Sequence, residues 1–195
     1  TLRNGTVRIG PVGFGGPDLQ NSAVLAAIGG TNDFYGSIVN ATGGTIAVTN
    51  QSVMIFHDDV QADAGSITVF PGSSAVFLEN LTMTGSSVLL ADLAGSGADS
   101  GFGEIEVVGN ATLNSSMNIT LASGFIPQEG DSFPIVAASS ITGALSLGDV
   151  ADLPSGLKWS LEHESNRVLL SVVPGLSGDY NSDGVVDAAD YIVWR

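Results

Sequence analysis

Gly44-Thr-Ile46-Ala-Val48, Gly65-Ser-Ile67-Thr-Val69 and Ser86-Ser-Val88-Leu-Leu90 carry the pattern on which the fold turns. Each run alternates apolar with small or polar residues, as a strand must to bury one face. Their first apolar residues, Ile46, Ile67 and Val88, stand 21 apart. A repeat of that length is too short for a helical pair or a propeller blade. It fits one coil of a β-solenoid with two or three short strands per turn. Gly103-Glu-Ile105-Glu-Val107 and Met117-Asn-Ile119-Thr-Leu121 continue the pattern at shorter spacing, with Val53-Met-Ile-Phe56, Ala75-Val-Phe-Leu78 and Ala111-Thr-Leu113 between the main runs. The expectation is an all-β, parallel β-helix-like solenoid, with Ile and Val ladders inside and Thr, Ser and Asn outside. An antiparallel β-sandwich also yields short alternating strands with frequent turns and stands as the alternative.

Working outward, Thr6-Val7-Arg8-Ile9 reads as a strand and Gly10-Pro-Val-Gly-Phe-Gly-Gly16 as a turn. The latter lacks the lysine and following helix of a phosphate loop. Residues 21–28 fit two helical turns, with Asn21 as cap and Gly29-Gly30 as stop. Leu153 to Leu161 and Val168 to Val173 read as a closing hairpin turning at Glu164-Ser-Asn166. Residues 1–173 form the solenoid-like domain, 174–178 a linker, and 179–195 a separate C-terminal element.

That last element carries the one strong chemical signal. Asp179, Asn181, Asp183, Asp187 and Asp190 fall at positions 1, 3, 5, 9 and 12 of a calcium loop, with Gly184 at position 6 and Val186 at position 8. The side chains of Asp179, Asn181, Asp183 and Asp190 would ligate Ca2+, with the carbonyl of Val185. Asp187 would act directly or through water. Acids this close raise one another's pKa unless a cation offsets them. An exit helix is expected from Ala188 to Trp194, with Tyr191, Ile192 and Trp194 as its apolar contacts.

Composition narrows the function. Five Lys and Arg face twenty Asp and Glu, a net charge of −15. Such a surface repels phosphate backbones and anionic lipid, which argues against nucleic acid and membrane partners. No cysteine is present, so disulfides, thiolate zinc and cysteine nucleophiles are excluded. No apolar run reaches the roughly 18 residues that span a bilayer. Enzyme signatures are missing: no Gly-x-Ser-x-Gly elbow occurs, and the single lysine, Lys158, and four scattered arginines do not suit a uronate-cleaving lyase. His57-Asp58-Asp59 and Glu162-His163-Glu164 read as solvent-facing turn or strand residues.

Seven of the eleven asparagines, Asn4, Asn40, Asn50, Asn80, Asn110, Asn114 and Asn118, sit in Asn-x-Ser/Thr. Ser and Thr frequency would give about two by chance, so these are candidate glycan acceptors on an exposed surface. The competing reading is that Asn and Thr are favoured on solenoid faces and turns.

Two resemblances follow from quoted residues. The segment Gly124-Phe-Ile-Pro-Gln-Glu-Gly130-Asp131-Ser-Phe133-Pro-Ile135-Val136, then Ile141-Thr-Gly143, Leu153-Pro-Ser-Gly156-Leu157-Lys158-Trp159 and the final Val168 strand resemble the C-terminal part of autotransporter-passenger-like β-helix proteins. These are common among exported planctomycete proteins, and the similarity spans about residues 40–173. Residues 178–195 resemble the first calcium repeat of a type I dockerin. The family plan has two such repeats, and one stands here. The first resemblance implies an exported, β-helical scaffold without catalytic residues; the second implies Ca2+ and a cohesin-like partner. The expected protein is therefore non-catalytic, extracellular or on a bacterial cell surface, and polymerises with copies of itself as a filament, sheath or surface-layer subunit. A dockerin-tagged module that binds carbohydrate or mediates adhesion, with polysaccharide or a cohesin-like domain as partner, is the alternative.

Overall fold

The computed structural model describes residues 1–9, 16–97, 101–122, 124–176, 178, 186 and 188–194. Its strands are β1 (Thr6–Arg8), β2 (Leu19–Asn21), β3 (Val24–Tyr35), β4 (Ile38–Asn40), β5 (Thr45–Phe56), β6 (Val60–Ala62), β7 (Ser66–Val69), β8 (Ser74–Phe77), β9 (Leu81–Met83), β10 (Val88–Leu93), β11 (Glu104–Leu121), β12 (Ser132–Val150), β13 (Leu157–His163) and β14 (Arg167–Pro174). One short helix, α1 (Ala188–Trp194), follows. The fold is all-β.

Pairing from β1 through β12 is parallel, and it joins segments one sequence repeat apart. One ladder aligns Leu25, Ile46, Ile67, Leu89, Met117 and Leu147. A second aligns Val7, Phe34, Phe56, Phe77, Val107 and Ala138. A third aligns Leu19, Ile38, Val60, Leu81, Ala111 and Ile141. Long strands turn corners and so join two ladders. β5 pairs β7 through Thr45–Val48 and β8 through Val53–Phe56, bending at Asn50 and Gln51, whose φ angles of 61° and 53° are left-handed. Because β11 bends likewise, the pairings β5–β7–β10–β11–β8–β5 close a circuit of parallel neighbours.

The alternating sequence puts one residue in two inside. Ile46, Ile67, Met54, Phe56, Phe77, Leu81 and Met83 are all but inaccessible. Phe56 stacks on Phe77 at 4.7 Å between centroids, and Phe34 tilts against Phe56 at 6.3 Å. At roughly 25 cal/mol per Å² of apolar surface, these columns are the main favourable term of folding. They also explain why the repeat is visible in sequence: each rung must offer the same apolar positions to the next.

Three expectations change. Residues 24–28, expected in a helix, are strand in β3, in register with Thr45–Thr49. Local helix propensity of a few tenths of a kcal/mol per residue loses to a ladder that pairs the backbone and buries Ala26 and Ala27. The Ile67 partner is Leu89 and not Val88, because the corner Thr84–Ser87 holds one residue more than the corner Asp63–Gly65. Finally, parallel pairing over β1–β12 is not that of an antiparallel sandwich. Antiparallel pairs are confined to β14 with β12 and β13.

The expected closing hairpin is β13–β14. β14 adds to the first part of β12, and Val168, Leu170 and Val172 cover Phe133 and Ile135. Trp159 lies within this cap, and its Nε1–H donates to the Ala151 carbonyl at 2.8 Å. The second half of β12 is left outside it: residues 146–150 are all exposed.

Candidate functional site

Of the six expected calcium ligands, Asp179, Asn181, Asp183, Val185 and Asp187 lie outside the described residues. Asp190 is described. It sits in the first turn of α1 and is 2% exposed. A carboxylate withdrawn from water at loop position 12 fits a cation ligand. The helix begins at the expected residue, Ala188. Tyr191 is 50% and Ile192 78% exposed. The Trp194 side chain is outside the description. Gly10 to Gly15 of the expected N-terminal turn are likewise outside it.

The seven Asn-x-Ser/Thr sites separate by environment. Asn40 is fully buried: its Oδ1 accepts from Asn21 Nδ2 at 2.8 Å and its Nδ2 donates to the Ser66 carbonyl at 2.9 Å. Asn80 and Asn110 stand at a corner where polar side chains stack from rung to rung. Ser37 donates through N–H and Oγ–H to Asp18 at 2.8 and 3.0 Å. Asn80 donates through N–H and Nδ2–H to Asp59 Oδ1 at 3.1 and 2.9 Å. Asn110 donates in the same two ways to Asn80 Oδ1 at 3.1 and 3.3 Å. Ser140 Oγ–H donates to Asn110 Oδ1 at 2.6 Å. Each of these residues immediately precedes a strand segment of the third ladder.

The tripeptide follows from this geometry. An Asn at the corner precedes an inward apolar residue (Leu81, Ala111) and then an outward Thr (Thr82, Thr112). The outward threonines also stack, Thr112 Oγ1 lying 3.2 Å from Thr142 Oγ1. Asn118 is half-buried and its Oδ1 accepts from the Asp149 N–H at 2.9 Å. Asn4, Asn50 and Asn114 are exposed, the first two with left-handed φ.

Of the two histidines, expected to face solvent, His163 is exposed and His57 is half-buried. His57 Nε2 lies 2.8 Å from Asp33 Oδ1, and its ring stacks on Tyr35 at 3.7 Å. The Arg8 guanidinium covers the ring of Tyr35 at 4.0 Å. Exposed His163 accepts the Leu145 N–H at Nε2, 2.9 Å away, which ties the hairpin to the edge of β12. At the hairpin turn, Arg167 donates to Glu164 at 2.7 Å, and this bond holds the guanidinium above its ordinary pKa.

Among the described residues no three acidic or histidine side chains converge on one point, and no helix is long and apolar enough to cross a membrane. Neither the protein-family models nor the curated proteins compared with the chain match it. Sequence reasoning missed the corner column Asp18–Ser37–Asp59–Asn80–Asn110–Ser140. Its signal was present as a small polar residue just before each short apolar run.

Proposed function

We propose that the chain is a β-solenoid serving as a non-catalytic structural protein of the bacterial exterior, assembling with copies of itself into a filament, sheath or surface layer. The observation that carries this reading is where the polar side chains spend their hydrogen bonds. Asp18, Asp59, Asn80, Asn110, Asp63 and Asp92 accept from the neighbouring rung. Side chains tied to one another along the stacking axis stiffen a scaffold; they are not aimed at a substrate. Tyr35, covered by Arg8 on one side and His57 on the other, is unsuited to stacking on a sugar ring. Electron microscopy and sedimentation of the protein with calcium test the reading. Ordered polymers are expected, and a monomer at all concentrations would refute it.

The C-terminal loop is read as a calcium clasp, held by Asp179, Asn181, Asp183, Asp190, the Val185 carbonyl and Asp187. The donor set is all oxygen, which suits a hard cation. Terbium luminescence, sensitised by Tyr180 or Trp194, is expected to report the site and to disappear in Asp183→Ala. An undiminished signal in that variant would reject the assignment. Glycans, if attached, belong on Asn4, Asn50 or Asn114, whose side chains are exposed and whose Nδ2, unlike that of exposed Asn110, donates no hydrogen bond among the described residues. The second reading, a dockerin-tagged adhesion module, is favoured by one feature, a helix that starts at Ala188 and exposes Tyr191 and Ile192. Retention on an immobilised cohesin domain in calcium, reversed by chelator, would favour it.

A further inference from the structure

The three ladders differ on their outer faces. On the first, Val88 and Leu90 stand between Ser66 and Thr68 on one side and Ser116 and Asn118 on the other. On the third, Gln61, Thr82, Thr112 and Thr142 follow one another. The second is apolar at its centre. It is built by β1, the latter parts of β3 and β5, β8 and the first part of β11. Ile55 pairs with Val76, and Val53 stands two residues before Ile55. Leu78 and Val108 lie side by side, one residue beyond the pair Phe77–Val107. All five alternate with buried residues and so point outward. Leu78 is 37% and Val108 50% exposed. A contiguous apolar patch on the outside of a protein marks a contact surface.

The charges of this face are few and set apart. Arg8, on β1, lies at one end, and Glu104 and Glu106, on β11, lie at the other. Because β1, β3, β5, β8 and β11 are successive rungs, roughly 19 Å separates them, four strand spacings of about 4.8 Å. Between them stand Asp33 and His57, bonded to each other at 2.8 Å. Asp58, just past β5, turns back to accept the Gly36 N–H at 2.8 Å. The face is thus positive at one end, negative at the other and apolar between, with β5 as its middle rung.

We infer that this face pairs with the same face of a second copy about a two-fold axis running along β5. Rung order is then reversed across the contact: β5 lies on β5, β3 on β8 and β1 on β11. Ile55 meets Ile55, Tyr35 meets Leu78, Asp33 meets Val76, and Arg8 comes over Glu106. No acid of the face opposes another. An axis along the stack would instead set the acids of β11 on one another. The occupant is a second copy because this face complements its own reverse in charge. At about 19 Å by 13 Å the contact covers roughly 250 Å² a side, well below the roughly 800 Å² of a stable pair. It is therefore a weak lateral joint that acts beside others. This inference rests on the self-assembly reading above and names one of its contacts. The apolar centre supplies the attraction and Arg8 sets the register, so screening of the net charge still favours association.

The chain has no cysteine, so a single introduced one reports its own surroundings. Ile55→Cys and, on the third face, Thr112→Cys are treated with a bis-maleimide that reaches about 10 Å, the separation of packed sheets. Ile55→Cys should give a linked dimer, and Thr112→Cys should not. Adding Val76→Asp to Ile55→Cys sets an acid against Asp33 of the second copy and should cut linking about tenfold or more. Adding Arg8→Glu should also cut it, and Glu104→Arg with Glu106→Arg should then restore it. Circular dichroism checks that each variant is folded, and the two cysteine variants read the contact without the others. If wild type polymerises while Ile55→Cys stays unlinked, or Thr112→Cys links equally, this face is wrong and self-assembly stands. Linking that ignores Arg8→Glu, or is lost without restoration, overturns the two-fold register. A wild type that never associates overturns both.

Discussion

Asn40 and Asn80 both head an Asn-x-Thr tripeptide, and their side chains do different work. Asn40 is buried, and both ends of its amide are bonded. Asn80 bridges Asp59 and Asn110 at the surface, where water replaces lost partners. Removing a buried partner leaves the remaining groups unsatisfied, at a cost of about 1–3 kcal/mol, whereas an ordinary hydrogen bond contributes about 1 kcal/mol or less net. Asn40→Ala should therefore lower urea-unfolding stability by about 2–3 kcal/mol and Asn80→Ala by less than about 1. Equal losses would mean that the buried pair Asn21–Asn40 is no more than another surface bond. Peptide masses of the native material should likewise show Asn40 bare, because a glycan on Nδ2 would displace its bond to Ser66. The tripeptides were legible in the sequence, but their meaning was not. Spacing reveals an Asn and a Thr two apart, while the bond that occupies the Asn comes from a residue 19 to 30 positions away.

At the level of elements, the first residues of the repeat fall in one corner column: Gly44, Gly65, Ser87 and Ser115, each just before a strand segment of the first ladder. A Cβ at Gly44 would collide with the Asn21 carbonyl and Asn40 Oδ1, and one at Gly65 with the Asn40 amide. Where the buried asparagines give way to Ala62, Met83 and Leu113, the column admits serine. Ser87 and Ser115 are buried with hydroxyls that have no partner among the described residues. Gly65→Ala should cost about 1–3 kcal/mol by overpacking. Ser87→Ala should be neutral or stabilise by up to about 1 kcal/mol, since it removes an unpaired buried hydroxyl. Thermal melts of both variants decide this, and a destabilised Ser87→Ala would show that its hydroxyl is bonded. Strands β1, β5, β7, β8, β10 and β11, the β13–β14 hairpin and the α1 boundaries could be read from alternation, turn residues and loop spacing, whereas the three-residue strands β2, β4, β6 and β9 were too short to show alternation. The stretch around Ala26 could not, because an Ala-rich run suits a helix in isolation and becomes strand only against Thr45–Thr49. The one-residue slip to Leu89 was hidden for a similar reason: Val88 and Leu89 are both apolar, and only the corner length chooses between them.

Over the whole molecule, the closing hairpin was legible from its turn residues while its register on β12 was not, since that depends on Phe133 meeting Leu170, a pairing that no period encodes. What composition did set is the field. A net charge of −15 comes from twenty acids against five bases. The ion pairs among the described residues are His57–Asp33 and Arg167–Glu164, so few of the negative charges are offset by a cation beside them. Repulsion between exposed charges is screened beyond roughly 10 Å at 0.1 M salt and beyond roughly 3 Å at 1 M. It persists in the unfolded chain at larger separations, so the compact state gains more from added salt. Raising NaCl from about 0.02 M to about 0.5 M in calcium-free buffer should therefore lift the melting temperature. For a chain of this size, each kcal/mol of relieved repulsion corresponds to roughly 2–4 °C. Association between copies, each carrying a net charge of −15, should strengthen over the same range, because screening also removes the repulsion between them. Calorimetry and sedimentation across one salt series thus have to move in the same direction. A melting temperature that falls with salt would show that the fold relies on ion pairs beyond these two, and association that weakens would show that opposite charges hold the joint between copies.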